Sequence, residues 1–257
     1  MPLPQHRPKH DSAAHFEPLD HFSYFRDLGI APQGEPPRGA IITYQRSLLR
    51  HIVASEQVTP IPCIVGNLYP LPSTNGAVVV GAEFGIGSPV AAMLMELLIA
   101  WGVRRFVSIG TAGGLQPEAS IGQLTICTAA VRDEGVSHHY LAEDSATVAP
   151  SVGMTERLAG ALLASGHRPL HGPTWTTDAP FRETQAEIAY FQAQGVLTVE
   201  MEAAALFAVA QLRGVEIASG FVVSDVLAGE RWEPQFNSPA IVAGLIALFE
   251  AAREILI

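Results

Sequence analysis

The feature that most constrains this chain is an alternation of short, nearly all-apolar runs with longer stretches of helical periodicity. The short runs fall at residues 40–43, 61–65, 77–80, 105–109 and 124–130, then at 197–199 and 217–223. Each is too apolar to face water on one side, so each reads as a strand buried on both faces. Helical patterns lie between them, at 89–101, 155–164, 200–212 and 240–256. Pro89 opens the first of these at a first-turn position, and Gly102, Gly166 and Gly214 follow the ends of the first three. Such alternation predicts an α/β fold with a mixed, mostly parallel central sheet flanked by helices. The chain of 257 residues is 48% hydrophobic, ample material for one large core. No linker or internal repeat divides it. Residues 1–20 are polar and read as a poorly ordered N-terminal arm, and 21–257 as a single domain.

Charge narrows the partners. The net charge of −10 repels phosphate backbones and anionic lipid, so neither nucleic acid nor membrane is an expected partner. A local cationic pocket for a small anion stays compatible with it. No run approaches the ~20 apolar residues of a membrane span, and the start resembles no signal peptide, so a cytoplasmic protein is expected. Cys63 and Cys127 each sit in a strand-like run and read as buried structural thiols. No ligand cluster points to a metal.

Four segments carry chemistry. Ser108-Ile109-Gly110-Thr111-Ala112-Gly113-Gly114 follows a buried strand, at the end where open α/β sheets place ligands. Its glycines permit close approach of a ligand, although a plain Gly-rich turn fits equally, and no phosphate-gripping P-loop follows. Val199-Glu200-Met201-Glu202 sets two acids at a strand–helix junction. A helix N-terminus accounts for one acid, and Glu202 has the reach to accept hydrogen bonds from sugar hydroxyls. Val223-Ser224-Asp225 puts an acid directly after a strand, suited to acid–base work or to capping a helix. Residues 175–184 read as a loop in which Phe181 can stack a planar base and Arg182 or Glu183 can read its edge, or in which the charges merely pair. His138 and His139 read as surface residues, and no Gly-x-Ser-x-Gly elbow is present.

Together, GIGSP at 85–89, IGTAGGLQP at 109–117, VEMEAAA at 199–205 and VSDV at 223–226 resemble, in order and spacing, the nucleoside phosphorylase family. That family includes uridine phosphorylase, hexameric purine nucleoside phosphorylase and methylthioadenosine nucleosidase. The resemblance implies glycosidic cleavage of a nucleoside by a cytoplasmic homo-oligomer, a dimer or a hexamer, without metal or organic cofactor. It assigns Glu202 to the ribose 2′-hydroxyl, with Met201, Thr111 and Glu200 about the sugar. It assigns Asp225 to N7 of a purine, with Gly113 beside the base, but puts the family's base-stacking Phe closer to Pro180 than to Phe181, so that Phe181, Arg182 and Glu183 stand as base contacts on the reading of their own loop. Gly110, Thr111, Ser108 and Arg46 are what remain to hold inorganic phosphate as co-substrate.

The departures fall on the phosphate side. Tyr44 and Leu48 stand where the family carries a Gly and an Arg, and Ser108 where it carries a second Arg. A phosphate dianion wants Arg forks or several N–H donors. Phosphorolysis is therefore the expected reaction, with hydrolysis open. The acid that family hydrolases place in this loop is missing too, since 42–53 holds no Asp or Glu. Uridine phosphorolysis is the alternative, because residues 132–140 resemble the loop of uridine phosphorylase-like members. A nucleoside-binding homologue without catalysis is the alternative of another class.

Overall fold

The computed structural model describes residues 4–142, 145–229, 232–236 and 238–257. The elements run α1 (Pro18–Asp27), β1 (Gly39–Thr43), α2 (Arg46–Glu56), β2 (Ile61–Pro62), β3 (Asn67–Pro70), β4 (Val78–Ala82) and α3 (Ser88–Trp101). They continue β5 (Arg105–Gly114), β6 (Leu124–Asp133), α4 (Ser137–Tyr140), β7 (Thr147–Val148), α5 (Val152–Ala164), β8 (Leu170–Thr177) and α6 (Gln185–Ala193). The chain closes with β9 (Thr198–Glu200), α7 (Ala203–Arg213), β10 (Glu216–Val226), β11 (Glu233–Pro234) and α8 (Pro239–Leu256). Helices cover both faces, as an α/β fold requires. Leu48, Leu158 and Leu245, from α2, α5 and α8, share one core cluster, and Leu94 and Phe207, from α3 and α7, share the other. Among the described residues no helix is long and apolar enough to cross a membrane.

The sheet is mixed, with its parallel ladders at the centre. β1 lies parallel between β4 and β5, and the long β10 runs parallel to β5 from Glu216↔Arg105 to Val226↔Gly114. It is not an open sheet. β10 also pairs with β6, β6 with β8, β8 with β9 and β9 with β5, so five strands close a ring. Register shifts at Val223/Asp225 and Cys127/Ala130 bend the long strands enough to close it.

Ring closure explains several departures from the sequence expectation. The Gly-rich segment 110–114 is not a turn after a strand but the second half of β5, paired to β10 and β9 together. Gly114 has no room for a side chain there, since a Cβ would sit 2.2 Å from the Ala119 carbonyl oxygen. Asp225 lies within β10, just past its bulge, rather than after the strand. Trp175–Thr177 belongs to β8 rather than to a loop. The buried strand expected at 61–65 shrinks to the exposed Ile61–Pro62, because Pro cannot donate to a ladder on both sides. Cys63 is accordingly half-buried, whereas Cys127 is buried. Within the expected N-terminal arm, residues 7–11 form a 3₁₀ turn and α1 begins at Pro18; residues 1–3 lie outside the described residues.

Candidate active site

The site grows from one register. Gly113 on β5 pairs with Val199 on β9 and with Asp225 on β10. A Cβ on Gly113 would meet Leu227 at 2.4 Å, Val199 at 3.0 Å and the Asp225 carboxylate at 3.4 Å. Absence of a side chain there lets three of the four segments converge: the Gly-rich half of β5, the end of β9 leading to Glu202, and the acid of β10.

The two acids of VEMEAAA divide their tasks. β9 ends at Glu200 and α7 begins at Ala203, so the turn between them exposes the N–H groups of a helix start. Glu200 answers these donors. Its Oε2 accepts from the N–H groups of Glu202 and Ala203, both at 2.8 Å, and its Oε1 from the Thr176 hydroxyl at 2.6 Å. Both oxygens are thereby engaged inside the protein. Glu202 Oε1 accepts from the Gly87 N–H at 2.5 Å, tying the helix start to the GIGSP loop. Ser88 Oγ donates to the Met201 carbonyl at 2.7 Å across the same seam, and Met201 Cε lies about 4.0 Å from the Cβ position of Gly87. Burial, reinforced by the other carboxylate, pushes Glu202 above the usual carboxylate range, and burial pushes Glu200 the same way against its three donors.

At the opposite end, Asp225 Oδ1 accepts from Ser224 Oγ and Oδ2 from the Trp232 indole N–H, both at 2.8 Å. The indole arrives because β11 folds back antiparallel on β10, with Asp225 opposite Pro234. Trp232 carries no signal in the sequence, since only this return brings it to the acid. Glu183 is half-buried near Asp225. Burial and then the Asp225 charge push its carboxyl up to about 7. Phe181 is 100% exposed and Arg182 is exposed, so neither is gathered into the cleft of this chain. Arg132, in the uridine phosphorylase-like segment, is buried and donates to the carbonyls of Ser137 and Leu141, which makes it the anchor of its own loop.

The fourth wall comes from the segment after β1, read from sequence as a loop. It turns into α2 at Arg46, and Leu48 is wholly buried in the core. The Tyr44 ring lies against Gly110, 3.2 Å from where a Cβ would stand, and its hydroxyl shares a 3.0 Å hydrogen bond with Ser108 Oγ. Burial, with the nearby Glu202 charge, raises the Tyr44 phenol well above its ordinary value. Gln45 Nε2 donates to Thr111 Oγ1 at 2.9 Å. A cavity of about 460 Å³ opens here, lined by Tyr44, Gln45, Arg46, Glu83 and Ile86 among others. Glu83 was missed in the sequence because it lies in a different loop from Arg46, before the GIGSP motif.

Comparison with known proteins identifies relatives of the chain. Uridine phosphorylase of Haemophilus influenzae is 30% identical over 213 residues, covering 77% of this chain and 80% of that one. Guanosine phosphorylase of Halorubrum lacusprofundi is 34% identical over 131 residues, about half of each chain (51% and 54%). The crystal structure of AMP nucleosidase from Bacteroides thetaiotaomicron superposes with a TM-score of 0.75 over 93% of this chain and 98% of that one, at 20% identity, a likeness of fold. Residues 59–252, which carry every strand of the closed ring, match the Phosphorylase superfamily, and the chain belongs to that family.

Proposed function

We propose that this enzyme cleaves the N-glycosidic bond of a purine-type nucleoside. The observation that carries the reading is the register that pairs Gly113 with both Val199 of β9 and Asp225 of β10, which supports a site where the strand leading to Glu202 meets Asp225. In this reading Glu202 receives a sugar hydroxyl on Oε2, since Oε1 is held by Gly87. Thr111 and Met201 border the ribose, and Glu200 holds the turn that aims Glu202. The base lies over Gly113 toward Asp225 and Glu183. Charge leaves the sugar for the base as the bond breaks, and an acid at the base end neutralises it. No metal or organic cofactor enters the scheme.

Uridine is a second reading, favoured by the H. influenzae relative and by its coverage. The decisive assay is base release by purified protein from adenosine, inosine, guanosine, methylthioadenosine and uridine, each with and without phosphate. We expect a purine nucleoside to be cleaved and the rate to collapse in Glu202→Ala. Uridine turnover unchanged by Asp225→Asn, without purine turnover, would transfer the proposal to the pyrimidine. No release from any of the five would end it.

A further inference from the structure

We propose that Trp232 is a positioning residue for the reaction. Its indole N–H fixes the Asp225 carboxyl beside Gly113 and steadies the charge left there when Asp225 gives its proton to the departing base; this rests on the purine-type cleavage proposed above. Asp225 is buried, and both of its oxygens are met by donors. Oδ2, the oxygen 3.4 Å from where a Cβ on Gly113 would stand, accepts from Trp232 Nε1 at 2.8 Å. The indole therefore bonds the oxygen on the Gly113 side, where the proposed reading puts the base.

Burial does not explain where Trp232 sits. It is 60% exposed, so its ring gains little from the core. Its place is set by the chain around it. β11 returns antiparallel on β10, with Asp225 opposite Pro234 and Val226 opposite Glu233. The Gln235 N–H donates to the Ser224 carbonyl at 2.9 Å, and the Phe236 ring lies 6.0 Å from that of Trp232. A two-residue strand thus delivers an exposed indole, N–H first, to a buried acid.

The two donors on Asp225 are not equivalent. Ser224 Oγ donates to Oδ1 at 2.8 Å and lies 3.5 Å from the Ala112 carbonyl oxygen. Its hydroxyl can turn to that carbonyl and accept from a protonated Oδ1, so it serves Asp225 with or without the proton. An indole only donates. Its bond to Oδ2 strengthens as the carboxyl becomes a carboxylate, because a charged acceptor roughly doubles the strength of a hydrogen bond. The step balances. As the nucleophile joins the anomeric carbon, the electron pair of the carbon–nitrogen bond moves to the base. An O–H bond of Asp225 breaks and an N–H bond of the base forms. Asp225 is left as a carboxylate and takes its next proton from solvent. Burial opposes that charge, and so does any charge on the neighbouring Glu183, with which Asp225 interacts. Trp232 is aimed at the oxygen before the charge appears, and a donor placed in advance lowers the barrier.

The test uses Trp232→Phe, which keeps a ring beside Phe236 and loses the N–H. Wild type and variant are given adenosine, inosine or guanosine, whichever wild type cleaves fastest, and the 7-methyl derivative of the same nucleoside, each with and without phosphate. The methyl group puts a fixed positive charge on the purine, so that base leaves without needing a proton. We expect kcat on the unmethylated nucleoside to fall about 10- to 100-fold. KM, and the rate on the 7-methyl nucleoside, should stay within about threefold. Tm should be unchanged, since the side chain is largely exposed. In the Asp225→Asn background, Trp232→Phe should cost less than about twofold on the unmethylated nucleoside, as for two residues that act through one contact. Equal losses on the two nucleosides, or the same loss in both backgrounds, would make Trp232 a structural support alone and overturn the proposal. Full kcat in Trp232→Phe would overturn it too. If wild type does not accept the 7-methyl nucleoside, the double variant decides. No base release by wild type from any purine nucleoside would remove the purine reading itself, and this proposal with it.

Discussion

Glu183 and Asp225 are two acids brought close to each other, and the arrangement has a pH signature. The folded chain raises Glu183 from its ordinary 4.5 to about 7, so it binds that proton more tightly than the unfolded chain does. Linkage then fixes the sign. The stability this group contributes is complete below about pH 4.5 and is lost as pH rises through about 7. Glu183→Gln removes the dependence, so the variant should gain on wild type between pH 5 and 8. Because the group is half-exposed, the gain is screened to about 1 kcal/mol. Urea midpoints at several pH values check this, and parallel curves for the two proteins would refute it. Glu183 was legible in the sequence only as a charge near an aromatic residue. Its partner lies on β10, and no local pattern records that pairing.

The junction of β9 and α7 separates two acids that the sequence could not tell apart. Glu200 caps the helix through two N–H groups and ties it to β8 through Thr176, which also accepts from the Ala204 N–H. Glu200→Ala leaves buried donors unanswered at about 1–3 kcal/mol each before relaxation. It should lower unfolding free energy by about 2–4 kcal/mol and abolish activity with it. Glu202→Ala leaves one buried donor, the Gly87 N–H, unanswered but also removes a carboxylate that burial disfavours, so stability should fall by about 1 kcal/mol, less than in Glu200→Ala, while activity falls at least 100-fold, at about the scale of a lost transition-state contact. Denaturant unfolding and base release, measured on both variants, distinguish the roles, and equal stability losses would merge them. The elements themselves were largely legible, because β1, β4 and the 217–223 stretch of β10 are buried on both faces and so are nearly all apolar. What the pattern could not record was closure. The pairing of β6 with β10 and of β9 with β5 joins residues far apart in sequence, and the bulges that permit it look like ordinary apolar strand. For the same reason 43–48 looked like a loop: α2 spends most of its length polar, with only Leu48, Leu49 and Ile52 buried.

At the scale of the whole molecule, α1 carries more apolar surface than one chain can use. Phe22 is buried beside Leu97 of α3, whereas Leu19, Tyr24 and Leu28 are exposed on the same helix and Phe16 just before it. Phe181, two residues before Glu183, is fully exposed. Tyr24 and Leu28, four residues apart at the end of α1, form an exposed apolar pair of the kind that interfaces use, and closed symmetric assemblies are the common outcome. We therefore expect a dimer or a larger closed oligomer on calibrated sizing. The net charge of −10 per chain opposes such association, so apolar contacts must outweigh a repulsion that salt screens. Raising salt from about 0.05 to about 0.5 M should strengthen the assembly, since the Debye length then falls well below the size of the protomer. The double variant Tyr24→Asp, Leu28→Asp should shift elution toward the monomer without lowering Tm by more than a few degrees, because both side chains already face outward. Monomeric elution of wild type at every concentration would contradict the assembly. Oligomers of unchanged size in the double variant would instead move the interface away from α1 and leave Phe181 as the residue to substitute next.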